Sequence, residues 1–161
     1  MILFQLTIQI SSFRYCLSKI SAYFCCTLLI GLLCVETEVW ANDHYAIVTH
    51  PGVSEKVLSV NSLRSIFSMH LKTWPDGTKI RVFVLPDDDP LHQRFSKEKL
   101  NVFPYQLRSN WDRLVFSGTG QAPIKVNSSE EMLARVAGTP GAIGYLWRAN
   151  INENVNVLQI K

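Results

Sequence analysis

Cysteine is absent from residues 42–161, although the whole chain contains four. Without a thiol, this segment can hold no disulfide framework, no thiolate nucleophile and no cysteine-based zinc site. Such cysteine usage favours a protein exported to a bacterial periplasm over a small, disulfide-dense secreted scaffold. All four cysteines lie near the start of the chain, at Cys16, Cys25, Cys26 and Cys34.

Acidic residues are missing from the start of the chain, where the first is Glu36. A 16-residue apolar run precedes it at residues 20–35, and Val39 and Ala41 follow at the small-residue positions of a cleavage site. The run is shorter than the roughly 20 residues that span a bilayer. This order of segments predicts a secretory signal peptide over residues 1–41, cleaved after Ala41. An uncleaved membrane anchor is the alternative.

The remaining residues, 42–161, are enough for one ordinary domain with its own core. Residues 1–41 contain two of the 16 basic and two of the 13 acidic residues, so the net charge is +3 with or without them. The sequence has no block of Lys and Arg of the kind that binds nucleic acid. We therefore predict a single periplasmic domain over residues 42–161, without a nucleic-acid partner.

Catalytic and metal-binding motifs are also missing. The four histidines, His44, His50, His70 and His92, form no i,i+4 pair and no HExxH motif. There is no GxSxG nucleophile elbow, and the loop SGTGQAP (residues 117–123) lacks the Lys-Ser/Thr of a P-loop. Because no nucleophile, base and orienting group come together, we predict a protein that is not an enzyme and needs no cofactor.

Strand and helix signals alternate along the chain, and their order predicts an α/β fold. The expected architecture is a three-layer sandwich with a mixed, largely parallel sheet. Asn61 is the expected cap of the first helix. The predicted strands cover residues 44–49, 79–85 and 155–160, and the predicted helices cover residues 61–69, 90–100, 105–116 and 128–136. Residues 138–146 are predicted to end the last helix and turn into a further strand. The residues expected in the core or lining it are Ile66, Phe67, Val82, Val84, Phe95, Trp111, Leu114, Ile143 and Tyr145.

Three consecutive aspartates, Asp87, Asp88 and Asp89, stand between a predicted strand and a predicted helix. Adjacent side chains point in different directions, and the spaced acids of a calcium loop do not follow, so we predict no metal here. Pro90 suits the first helical turn, and an aspartate before it can accept hydrogen bonds from free amides. We therefore predict that Asp88 or Asp89 caps the helix. The remaining carboxylates should face solvent or a nearby Arg or Lys.

Three stretches together resemble a known family: LSVNSLRSIFSMHLKTWPDGTKIRVFVLPDDDPLHQRF, YQLRSNWDRLVFSGTGQAP and VAGTPGAIGYL. They are similar to the phosphate-type substrate-binding proteins of ABC transporters, which have the type 2 periplasmic binding fold. The resemblance covers roughly residues 48–146, and TWPDGT and PGAIGY are its most specific motifs. It implies one lobe of that fold, a phosphate or other oxyanion ligand, and a membrane transporter or another periplasmic protein as partner.

The sequence departs from the family where the ligand would bind. The family carries a signature similar to Arg-Ser-Asp-Gly-Ser-Gly-Thr, and the matching stretch here is LPDDDPL. Leu85 stands in place of the arginine, Pro90 removes an amide, and Asp88 and Asp89 add negative charge. Only Asp87 matches the family residue.

Two interpretations follow from this departure. In the first, the chain is a one-lobe oxyanion-binding module with residues 87–89 at its site, and it closes its cleft as a homodimer. An anion beside these carboxylates would then need compensating arginines, for which Arg81 and Arg94 are the expected candidates. In the second, the chain is an exported accessory or interaction module that kept the fold and lost the ligand.

Overall fold

The structure is a computed structural model, and it describes residues 44–161. The predicted signal peptide and the cleavage site at Ala41 lie outside the described residues and stay predictions. In the part of the chain that the structure describes, no helix has the length and apolar character needed to cross a membrane.

Six strands and four α-helices make up the described chain. The strands are β1 (Tyr45–Thr49), β2 (Val57–Leu58), β3 (Arg81–Val84), β4 (Ile124–Lys125), β5 (Ala142–Trp147) and β6 (Asn156–Ile160). The helices are α1 (Val60–Phe67), α2 (Pro90–Phe95), α3 (Pro104–Phe116) and α4 (Ser129–Gly138). A π-helical turn (Ser96–Leu100) continues α2, and a 3-10 turn (Arg148–Asn150) follows β5.

The strands form one mixed sheet in the order β2-β6-β1-β5-β3-β4. Three of the five neighbouring pairs are parallel, namely β2 with β6, β5 with β3 and β3 with β4. The central strand β1 is antiparallel to both of its neighbours. The predicted mixed, largely parallel sheet is therefore confirmed. The sequence did not indicate β2 and β4, because two-residue strands carry no periodicity.

Helices cover both faces of the sheet, as adjacent residues of β5 show. Gly144 faces α4, where a Cβ on this residue would lie 2.6 Å from the Met132 sulfur. The next residue, Tyr145, points to the opposite face and stacks on Phe95 with ring centroids 4.1 Å apart. Successive side chains of a strand point to opposite faces, so α2 and α4 lie on opposite sides of the sheet. The three-layer arrangement is thus confirmed.

The core matches the predicted set except at one position. Leu114 was expected in the core or lining it, but it is only half-buried and does not pack against the core. Its Cβ lies 3.2 Å from the position of a Cβ on Gly120, so it packs under the loop that follows α3 rather than against the sheet. The predicted residues that are buried are Ile66, Phe67, Val82, Val84, Phe95, Trp111, Ile143 and Tyr145.

The expected cap at Asn61 is wrong, because the cap lies two residues earlier, at Ser59, and α1 begins at Val60. Ser59 caps the helix, and its hydroxyl oxygen accepts a hydrogen bond from the Ser62 amide at 3.0 Å. Both residue types can cap a helix. Ser59 has the extended backbone of a cap directly after β2, so the chain passes from strand to helix without a connecting loop. The helix ends at Phe67, and Met69 has a positive φ of 63°.

Candidate functional site

The candidate site lies where β3 ends and α2 begins. β3 is parallel to both β5 and β4, so the carboxyl ends of all three strands lie at this edge of the sheet. Ligands of open α/β sheets bind outside the carboxyl ends of parallel strands. The three aspartates occupy the connection between Val84 and Pro90, directly at that edge.

Asp89 fills the amino end of α2 with its own oxygen atoms. Its Oδ1 accepts hydrogen bonds from the amides of Leu91 at 2.7 Å and His92 at 3.3 Å. Its carbonyl oxygen accepts the next amide, that of Gln93, at 3.0 Å. Pro90 has no amide hydrogen to donate. The predicted helix cap is confirmed and is Asp89, and the first amides of this helix are already used by the protein itself.

Asp87 is held by a guanidinium group from α3. Arg108 donates from Nη2 to Oδ1 at 2.7 Å and from Nε to the other carboxylate oxygen, which makes the pair bidentate. The hydrogen bond to Arg108 holds the pKa of Asp87 below its usual value, and the same bond raises the pKa of Arg108. Both side chains keep about a third of their surface exposed, so solvent screens the pair in part.

The two arginines expected to compensate the charge of the aspartates, Arg81 and Arg94, do not pair with them. Arg94 forms an ion pair with Glu98 at 3.2 Å, one helical turn later, and its guanidinium lies 6.0 Å from the Trp147 ring centroid. Arg81 begins β3 and so lies at the other end of that strand. The compensating cation is Arg108, which the sequence did not indicate.

Asp88 differs from its two neighbours because it is exposed. Its carboxylate forms no hydrogen bond or ion pair with residues 44–161. The three carboxylates therefore face three surroundings, namely a guanidinium, a helix end and solvent. Among the residues described, no group of three or more His, Cys, Asp or Glu side chains converges as a metal site would require.

A buried pair of His92 and Tyr145 lies behind the aspartates. The Tyr145 oxygen accepts a hydrogen bond from the Leu85 amide at 2.9 Å and lies 2.5 Å from His92 Nδ1. The other ring nitrogen, Nε2, is buried and has no partner among the described residues. Burial lowers the pKa of His92 and raises the pKa of Tyr145, so both groups are neutral at neutral pH. The pair ties α2, β5 and the end of β3 together.

The sequence did not reveal this pair or Arg108. His92 looks like a lone histidine on a helix, although it is three residues before the buried Phe95 and therefore on the same face. That spacing was the one available signal of its burial. Arg108 is 21 residues from Asp87, and Tyr145 is 53 residues from His92, so neither contact has a local pattern.

Solved structures of phosphate-binding proteins share this fold. An ABC-type phosphate transport receptor from Vibrio cholerae matches over 73% of this chain and 46% of its own, with a TM-score of 0.58 and 16% identity. A phosphate ABC transporter substrate-binding protein with bound phosphate from Clostridium perfringens matches over 73% of this chain and 44% of its own, with a TM-score of 0.59 and 18% identity. PstS from Borrelia burgdorferi matches over 73% of this chain and 47% of its own, with a TM-score of 0.56 and 16% identity.

The chain spans less than half the length of these three structures. No protein-family model matches it, and no curated protein sequence does. Identities below 20% at these TM-scores establish the fold alone. The resemblance to phosphate-type substrate-binding proteins of ABC transporters is therefore confirmed at the level of the fold, over a part of those proteins.

Proposed function

We propose that this chain is an exported, non-enzymatic module of the solute-binding fold that acts on a protein partner in the periplasm. That partner is a membrane transporter or another periplasmic protein. One observation carries the proposal: the amides at the start of α2 donate to Asp89. The position where the fold would hold a free oxyanion is thus filled by the protein's own carboxylate.

The charges at this edge of the sheet support the same conclusion. Anion sites at helix ends need free amides and a positive local field. Here Arg108 is already bound to Asp87, and the more distant Lys125 is the other cation that acts on this carboxylate. A phosphate that entered would meet the negative charges of Asp88 and Asp89 at short range. Free phosphate is therefore disfavoured unless Asp89 leaves the helix end.

Oxyanion binding is the second candidate, and two observations favour it. His92 Nε2 is a buried polar atom without a partner in the described chain. The Clostridium perfringens structure, which shares the fold, has bound phosphate. In this case Asp89 would release its amides to the ligand. The chain spans less than half of such a protein, and in this candidate function a second copy supplies the other half of the cleft, as a homodimer.

Calorimetric titration of the purified protein with phosphate and with sulfate separates the two candidates. We expect no saturable heat from the unmodified protein and a monomer by sedimentation analysis. Asp89→Ala frees the helix amides, while Asp88→Ala removes an equal charge and leaves the cap in place. Tight phosphate binding by the unmodified protein, above all with dimer formation, would overturn the proposal. Phosphate binding that appears only in Asp89→Ala supports it.

Export has a test of its own. The predicted signal peptide should be removed after Ala41, so mass spectrometry of the protein recovered from the periplasm should find Asn42 at the amino terminus. Recovery of the intact chain from Met1 in a soluble fraction would contradict both cleavage and the proposed location.

A further inference from the structure

A groove of about 650 Å³ opens at the amino end of β3, at the opposite edge of the sheet from the aspartates. It lies between the connection from α1 to β3 and the loop from α3 to β4. Three of its ten lining residues are basic and none is acidic, although basic residues barely outnumber acidic ones in the whole chain. The three are Lys72, Lys79 and Arg81.

The backbone fixes these three cations close together. Thr73 and Lys79 form an antiparallel bridge, and the Ile80 amide donates to the Lys72 carbonyl oxygen at 2.9 Å, so the segment folds back as a tight hairpin. Lys79 and Arg81 flank the buried Ile80 in extended chain. Side chains two apart in such a chain point the same way, and these two therefore point outward together.

None of the three cations is neutralised by the described part of the protein. Arg94, Arg108 and Arg135 each form an ion pair with a carboxylate, but no ion pair involves a cation of the groove. Lys72 Nζ reaches the carbonyl oxygen of Thr119 at 3.4 Å, across the groove. All three cations are exposed. Like charges held close together repel one another, and a bound anion would relieve that repulsion.

The loop that forms the other wall is hydrogen-bonded to the end of α3 and leaves the groove open. The amides of Thr119 and Gly120 both donate to the Leu114 carbonyl oxygen at 3.1 Å and so close the carboxyl end of α3. Gly118 has a positive φ of 68°, and a Cβ there would meet nothing within 4 Å. The loop amides are thus committed to the helix, and binding in this groove depends on the basic side chains.

We propose that this groove binds a polyanion that presents several phosphates together, as a polyphosphate chain or an anionic membrane surface does, held by Lys72, Lys79 and Arg81. Arg81 presents the forked donor geometry that suits phosphate oxygens, and the two lysines act as point charges. The volume of the groove suits a chain of phosphates or a phosphate headgroup better than a single phosphate. The site is separated from the aspartates by the length of β3 and does not depend on their role.

The ligand can come from solution or from a membrane surface. Leu71, next to Lys72, keeps 39% of its surface exposed, and Phe116, at the end of α3, keeps 89%. Apolar side chains beside cations are typical of proteins that lie on anionic membranes. Inorganic tripolyphosphate tests the soluble source. Vesicles of phosphatidylglycerol, compared with vesicles of phosphatidylcholine, test the headgroup.

Titration with tripolyphosphate and vesicle flotation, both at low salt, test the proposal. We expect saturable binding to at least one probe, weakened by added salt because the contacts are exposed. The double variant Lys79→Gln/Arg81→Gln should lower the affinity by about tenfold or more. Lys56→Gln, an exposed lysine outside the groove, is the control and should change the affinity little.

The possible outcomes distinguish a soluble ligand, a membrane headgroup and the absence of a site. Binding to tripolyphosphate without vesicle binding assigns a soluble anion. Flotation with phosphatidylglycerol that Phe116→Ser reduces assigns a headgroup. Binding to neither probe at low salt overturns the proposal, and so does binding that the Lys56 control weakens as much as the double variant. Equal thermal unfolding midpoints will show that the variants remain folded, since the replaced side chains are exposed.

Discussion

The two ends of β3 treat charge in opposite ways, although the strand has only four residues. At its carboxyl end, Asp87 is paired with Arg108 and Asp89 caps α2. At its amino end, Lys79 and Arg81 are exposed and form no ion pair with the described residues. The first set of charges stabilises the fold, whereas the second is available to a ligand. A row of like charges in a sequence therefore does not by itself mark a binding site.

Of the substitutions considered, we expect the largest loss of stability from one at Gly141, which lies against the amino end of β3. Its φ is +74°, and a Cβ there would collide with the Lys79 carbonyl oxygen, which is backbone and cannot move aside. Gly141→Ala should therefore lower the free energy of unfolding by about 3 kcal/mol or more. Gly77→Ala is the matched control, because Gly77 also has a positive φ but open space around it. Urea unfolding should show a much smaller loss there; equal losses would show that the collision is absent.

We expect the second largest loss of stability from a substitution at Tyr145, whose hydroxyl is bonded at the carboxyl end of β3. Tyr145→Phe keeps the ring but leaves the Leu85 amide and His92 Nδ1 buried without a partner. The expected loss is about 2 kcal/mol in the free energy of unfolding. Tyr105→Phe removes the same hydroxyl from a side chain that is 67% exposed, and should change little. A Tyr145→Phe protein as stable as the control would mean that this pair does not hold the end of β3.

The helix cap offers a comparison between adjacent aspartates. Asp89→Ala removes the acceptor of two amides and should cost about 1 kcal/mol of stability. Asp88→Ala removes an exposed carboxylate that accepts no hydrogen bond from residues 44–161. The midpoint of thermal unfolding should therefore fall less in Asp88→Ala than in Asp89→Ala. If the two variants were destabilised equally, net charge rather than capping would be the cause.

The smallest expected effect is the pH dependence of the pair between Asp87 and Arg108. The pKa of Asp87 is lower in the folded protein than its ordinary value of 3.8. The pair's stabilisation is therefore fully present above that value and is lost as the pH falls through the folded pKa. The stability difference between the unmodified protein and Asp87→Asn should be constant near neutral pH and shrink below about pH 4. Asp88→Asn is the control. If the stability difference between the unmodified protein and Asp87→Asn grew on acidification, the pair would not stabilise the fold in the way proposed.

Local patterns in the sequence predicted most of the fold and the local half of the site. The helices have apolar residues at helical spacing, the four longer strands are runs of β-branched and other apolar residues, and the cap at Asp89 needs only its own helix. Contacts across the fold had no such signal: Asp87 and Arg108 are 21 residues apart, and only the folded chain brings α3 to the end of β3. The basic groove combines residues 72–81 with the loop at residues 118–121, and only the folded chain brings the two segments together.

The two edges of the sheet, β2 and β4, are each only two residues long. A foreign strand could form only a short ladder of hydrogen bonds on either edge, and Lys125 adds a charge at one of them. Short, charged edges are a common protection against edge-to-edge aggregation. Such protection matters most while a chain is folding, when its strands are transiently exposed. We therefore expect a partner of this domain to dock on its helices or loops rather than to extend its sheet.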